Sequence, residues 1–184
     1  MVALEAPSVD GNWAAPSFSL PATDGGQYDL GDIAGDGGTL VMFICNHCPY
    51  VRAIATRLAE DAKAMQAAGI GVIAVMSNDT TISPGDSFVN MMDFAIQHDF
   101  SFPYVFDESQ LVARAYGAVC TPDFFGFDRD MILRYRGRFD ASGSSPAPAG
   151  TRPELLEAML QIAENGLAPA DQKSSVGCSI KWRG

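Results

Sequence analysis

Two runs, TLVMFI (39–44) and IGVIAVM (70–76), are apolar almost throughout, which predicts central strands covered on both faces. Between them, after Pro49, apolar side chains recur at Val51, Ile54, Leu58, Ala62 and Met65. Steps of three and four place these on one stripe of a helix, which Gly69 ends. Strand, helix and strand joined by short links predict a right-handed parallel crossover. FPYVF (102–106) reads as a third strand.

Around this unit the pattern changes. SFSLPATDGGQYDL reads as a hairpin turning at Asp24-Gly25-Gly26. GDIAGDGG is a glycine-rich connection that lacks the lysine and the spacing of a phosphate loop. A loop, SNDTTISPGD, leads to a second helix with Phe88, Met91, Met92, Ala95 and Ile96 on one core face. Asp107 is expected to cap a short helix, with Gln110 in the capping-box position and Gly117 as its stop. DFFGF (123–127) and MILRYRGRF (131–139) form a second hairpin across Asp128-Arg129-Asp130. After the linker SGSSPAPAG, a capping box at Thr151-Arg152-Pro153-Glu154 opens a helix running to about Gly166. Residues 1–16 read as a lead-in arm and 167–184 as a C-terminal tail, both without a clear period. The expected architecture is α/β, one domain over 1–184, with a mixed central β-sheet flanked by helices and an N-terminal β-hairpin. It resembles the thioredoxin arrangement.

Composition narrows the function. At 184 residues, 47% hydrophobic and 18% charged, the chain has the balance of a soluble globular protein. No apolar stretch approaches the roughly 20 residues of a membrane helix. MVALEAPSVDGNWAAP lacks a basic region followed by a hydrophobic one, so a cytoplasmic location is expected. Twelve Lys+Arg against 22 Asp+Glu give a net charge of −10, which repels nucleic acid and anionic membranes as partners. The four cysteines are Cys45, Cys48, Cys120 and Cys178. In a reducing cytosol, paired cysteines lean towards catalysis or metal rather than structural bridges.

CNHCPYV (45–51) carries the candidate chemistry. Cys48 precedes Pro49 where the helix begins, and unpaired N–H groups at a helix start favour a thiolate over a thiol. A thiolate is the attacking species in exchange with disulfides or peroxides. Arg52, one turn in, adds positive charge near that end, and a protonated His47 would add more. Cys45-Asn46-His47-Cys48 is the obvious C-x-x-C. However, Cys45 follows the strand with no loop, whereas Cys48 has one and is followed by proline. That geometry favours Cys48 in the first-cysteine place, with Val51 where a second cysteine would stand. Cys45 then ends the strand, near enough in sequence for a small-loop disulfide. Pro122 of Cys120-Thr121-Pro122 stands just before a strand, where proline reads either as an ordinary strand entry or as a special turn with a cis peptide.

The chain resembles the peroxiredoxin-like branch of the thioredoxin superfamily, related to the alkyl hydroperoxide reductase/thiol-specific antioxidant group. The resemblance covers nearly the whole length: APSFSLPATDG, VMFICNHCPYV, GIGVIAVMSND, FPYVFDESQLVARAYGAVCTPDFFGFD, YRGRFD and GCSIKW. It implies Cys48 as nucleophile, Pro122 as the cis-proline beside it, and Cys120 near the site as a candidate second thiol alongside Cys45. The peroxidase pattern Pro-x-x-x-Thr-x-x-Cys is absent: with Cys48 as its cysteine, Cys45 replaces the threonine and Val41 the proline.

The expected function is that of a thiol–disulfide oxidoreductase or a peroxiredoxin-like antioxidant enzyme. Cys48 attacks, and Cys45 or Cys120 resolves. Thr121 and the Tyr50 face contact substrate. The partners are a protein disulfide or peroxide and a thiol reductant, and no cofactor is expected. Two other classes compete. Cys45, His47, Cys48 and Cys120 offer soft ligands to copper or zinc, although adjacent His47 and Cys48 do not easily meet one ion. Val51 in the second-cysteine place fits a binding module that has lost the chemistry. Cys178 stays open between core packing and a distant resolving thiol, and no stripe marks an oligomer interface.

Overall fold

The computed structural model describes residues 3–7, 13–167 and 169–184. The first half contains β1 (Ala3–Glu5), β2 (Ser19–Pro21), β3 (Gln27–Asp29), α1 (Leu30–Ile33), β4 (Thr39–Phe43), α2 (Pro49–Ala67), β5 (Gly71–Met76) and α3 (Phe88–Gln97). The second half contains β6 (Tyr104–Phe106), α4 (Leu111–Tyr116), β7 (Cys120–Thr121), β8 (Asp123–Phe127), β9 (Leu133–Gly137), α5 (Glu154–Asn165) and β10 (Val176–Ser179). Five strands form the central sheet in the order β6-β5-β4-β8-β9. β4, β5 and β6 run parallel, while β8 and β9 are antiparallel additions.

Every residue of β4 is buried, which explains its unbroken apolar run. Alternation sends Leu40 and Met42 to one face, against Ile54, Leu58 and Met65 of α2, Met91 and Phe94 of α3, and Leu155, Met159 and Ile162 of α5. Val41 and Phe43 face the other way, against Phe125, Phe127 and Tyr116. Each large apolar side chain so buried stabilises the fold by about 1.5–3 kcal/mol. The expected α2 stripe is buried in full, from Val51 to Met65, and Gly69 turns the chain with φ +77°.

Several local expectations are corrected. GDIAGDGG is not wholly a loop, because its first residues belong to α1, capped at Asp29. On α3, Met92 and Ile96 are exposed, and Phe94 takes the core position with Met91. Gln110, in a left-handed conformation, occupies the N-cap of α4; Asp107 acts from three residues earlier, accepting from the Ala113 amide at 2.9 Å. The capping box at residues 151–154 does not form. Pro153 is the cap residue, and Glu154 reaches across to Arg138 instead.

The largest departure concerns the two ends of the chain. Part of the lead-in arm, residues 1, 2 and 8–12, lies outside the described residues. What is described contains β1, and the tail contains β10. These join β7 in a second, antiparallel sheet in the order β1-β10-β7. Among the described residues no helix is long and apolar enough to cross a membrane.

Candidate redox site

Because β4 and β5 are parallel neighbours, the loops after them emerge side by side. The loop after β4 carries Cys45 to Cys48; the loop after β5 carries a short 3-10 turn, Pro84–Asp86. Asp86 is fully buried and ties the two together. Its Oδ1 accepts the amides of Asn46 (2.8 Å) and His47 (3.4 Å). Its Oδ2 takes His47 Nδ1 (2.6 Å), Asn78 Nδ2 (2.8 Å) and the Ser83 hydroxyl (2.8 Å). Burial works against its charge, but His47, Asn78 and Ser83 outweigh it and hold the carboxyl below its ordinary range. The Tyr104 hydroxyl secures the same loop by donating to Asn46 Oδ1 at 3.0 Å.

Cys48 is the N-cap of α2, extended at φ −66° and ψ 123°, with Pro49 beginning the helix. Its Sγ lies 3.1 Å from the Thr121 carbonyl oxygen and 2.9 Å from Cys178 Sγ. The Thr121–Pro122 peptide is cis. The hydroxyl of Thr121 meets Cys45 Sγ at 3.2 Å, so one residue touches both cysteines of the loop. Cys178 and Thr121 are directly paired across β10 and β7, which points their side chains to the same face.

The two loop cysteines are driven in opposite directions. Cys48 is lowered to about 5, first by the Cys45 thiol donating to it, then, against burial, by the Cys178 thiol and the amides of Val51 and Cys178. As a thiol, Cys48 donates to the Thr121 carbonyl; as a thiolate it accepts from Cys178 and repels that oxygen. We assign the negative charge to Cys48 because only it has the helix-end amides. Cys45 is pushed well up by the same Cys48 contact, then by burial and by the charge of Asp86. Cys178 is raised to about 12 by burial and by facing Cys48.

The remaining expected residues divide. Tyr50 and Pro122 line one cleft with Phe139, Ser175 and Val176. Arg52 is exposed, and its charge acts on His98, where it adds to burial in lowering the imidazole. It is not among the main influences on Cys48, which corrects that expectation. Cys120 pairs with Ser179, one position along from Thr121, so it points to the opposite face of the small sheet. Its sulfur contacts the Pro122 carbonyl at 3.8 Å, and burial raises its pKa far above the usual thiol range.

A four-ligand metal set containing Cys120 therefore does not converge. Cys45, His47 and Asp86 do lie within 4.8 Å of one another, but both oxygens of Asp86 already serve protein donors. Sequence reasoning missed Asp86, Asn78 and Ser83. The available signal was topological: loops following adjacent parallel strands meet at one sheet edge.

A mixed sheet with a cysteine at the start of its first long helix, facing a cis-proline, defines a thiol redox protein of the thioredoxin fold. The chain belongs to the AhpC/TSA family, whose model matches residues 12–136. Among solved structures, an uncharacterized conserved protein from Geobacillus kaustophilus is 40% identical, with TM-score 0.92 over 100% of this chain and 97% of that one. A hypothetical protein from Sinorhizobium meliloti is 34% identical, with TM-score 0.91 over 98% of each. A protein from Chlorobium tepidum described as a thiol:disulfide interchange protein, DsbE, is 26% identical, with TM-score 0.60 over 85% of this chain and 99% of that one. A search of curated proteins finds no match for the chain.

Proposed function

We propose that the protein is a thiol–disulfide oxidoreductase with Cys48 as its nucleophile. The observation that carries this reading is the placement of Cys48 at the N-cap of α2, its sulfur 3.1 Å from the carbonyl preceding cis-Pro122. A thiol held near 5 is a thiolate at neutral pH, ready to attack a disulfide sulfur. Attack forms a Cys48–substrate disulfide and releases the other half of the substrate as a thiolate. A thiol reductant returns the protein to its starting state. Cys45, the partner thiol expected from sequence, keeps its proton and donates a hydrogen bond to Cys48, which holds the thiolate.

A disulfide is favoured over a peroxide as substrate. The one threonine hydroxyl of the site, that of Thr121, is directed at Cys45 rather than beside the Cys48 sulfur. The cleft nearest to this site in sequence is lined by Tyr50, Pro122 and Val176, each within two residues of Cys48, Thr121 or Cys178. The cytoplasmic placement belongs to this proposal too and is checked by cell fractionation.

Cys48→Ser is the test. Reduction of a protein disulfide falls by more than about tenfold, because a serine hydroxyl stays protonated and is a weak nucleophile unless a base activates it. An unchanged rate overturns the reading.

A further inference from the structure

The geometry points to Cys178, on the C-terminal strand β10, as the thiol that resolves the Cys48–substrate disulfide. The inference rests on Cys48 as nucleophile and assigns its partner 130 residues away, outside the C-x-x-C. Two sulfurs 2.9 Å apart need to close by less than about 1 Å to reach the 2.05 Å of a disulfide.

The approach is built into the backbone. Gly177 lies so close to the Thr121–Pro122 peptide that a Cβ on it would stand 2.0 Å from the Thr121 oxygen. Only glycine lets β10 pack there, and the direct pairing of Cys178 with Thr121 then aims the next side chain at Cys48. The other two thiols are placed differently. Cys120 faces away, and Cys45, although it also hydrogen-bonds to Cys48, is held at the Thr121 hydroxyl and feels the charge of Asp86, which opposes its ionisation.

The step balances. Cys48 attacks a disulfide R–S–S–R′, forming Cys48–S–S–R and releasing R′–S⁻. The Cys178 sulfur then attacks Cys48 Sγ, the S–S bond to R breaks, and R–S⁻ leaves. The proton of Cys178 passes to a released thiolate. The protein dithiol has lost two electrons and the substrate disulfide has gained them. The first attack also prepares the second. Once Cys48 is in the mixed disulfide its negative charge is gone, and with it one of the two main influences, after burial, that hold Cys178 as a thiol.

The experiment uses 4,4′-dithiodipyridine, a small neutral disulfide that the net charge of −10 does not repel. One equivalent is added to the reduced full-length protein, released thiopyridone is counted, and the product is digested and mapped without reduction. The wild type is expected to release both halves of the reagent and to yield a peptide pair joined through Cys48 and Cys178. Cys178→Ser and Cys178→Ala are expected to release one half and keep the other on Cys48. Cys45→Ser is expected to release both. If the wild type joins Cys48 to Cys45 or Cys120, or if the Cys178 variants still release both halves, the assignment of Cys178 is overturned while Cys48 stands as nucleophile. If Cys48 takes up no reagent at all, the reading of Cys48 itself fails. The wild-type map needs no variant to fold.

Discussion

Cys45 and Cys48 are both buried, three residues apart, at opposite ends of one loop. They nevertheless differ in acidity, and burial alone cannot explain it because it raises both. Cys45, at the strand end, faces a buried carboxylate and gives up a hydrogen bond. Cys48, at the helix end, receives thiol and amide donors from α2 and β10. The lesson is that two thiols in contact polarise one another, and the anchors at the two ends of their loop, Asp86 beside Cys45 and the backbone amides beside Cys48, decide which of them carries the charge.

The most severe break in this contrast is Gly177→Ala. The added methyl collides with backbone, so β10 must move away from β7 and carry Cys178 off Cys48. We expect a stability loss of order 3 kcal/mol, typical of overpacking, seen as a lower denaturant midpoint. The helix end loses its Cys178 donors while the strand end keeps Asp86. An unchanged midpoint would show that β10 does not hold the site together.

Asp86→Asn acts on the other end. Five donors converge on this buried carboxylate, and an amide offers them only one acceptor oxygen. A loss of about 2 kcal/mol is expected from weakened charged hydrogen bonds. Thiol titration should show Cys45 ionising at lower pH than in the wild type, with Cys48 moving less. Equal movement of both would mean that the two ends are not electrostatically separate.

The gentlest probe is pH. Reactivity of Cys48 towards a neutral disulfide should rise through about pH 5 and then level off, whereas a midpoint near 9 would erase the contrast. The linked stability has a definite sign. A thiol lowered from 9 to about 5 by folding contributes stability that is complete above pH 9. That contribution is lost as pH falls towards 5. Cys48→Ser should therefore lose less stability over that window than the wild type.

Much of the central sheet was legible, because β4 and β5 are buried on both faces and α2 shows a full stripe. The start of α2 was legible too, since proline after Cys48 marks a helix start whereas nothing similar follows Cys45. The strands of the small sheet were not. β1, β7 and β10 have three, two and four residues, too few for alternation to declare itself. Asp86 was hidden for a different reason: an aspartate in a Pro-Gly turn looks like any exposed loop residue until its neighbours are known.

By itself the sequence determined a mixed α/β sheet, the helix that begins at Pro49, and a cysteine at its start beside a proline turn. These follow from local chemistry, because periodicity, proline and glycine act within a few residues of where they stand. Only the tertiary structure decided which thiol faces Cys48 and which carboxylate faces Cys45. Those neighbours arrive from 130 and 41 positions away, and sulfur acidity depends on groups within a few ångströms in space, whatever their distance along the chain.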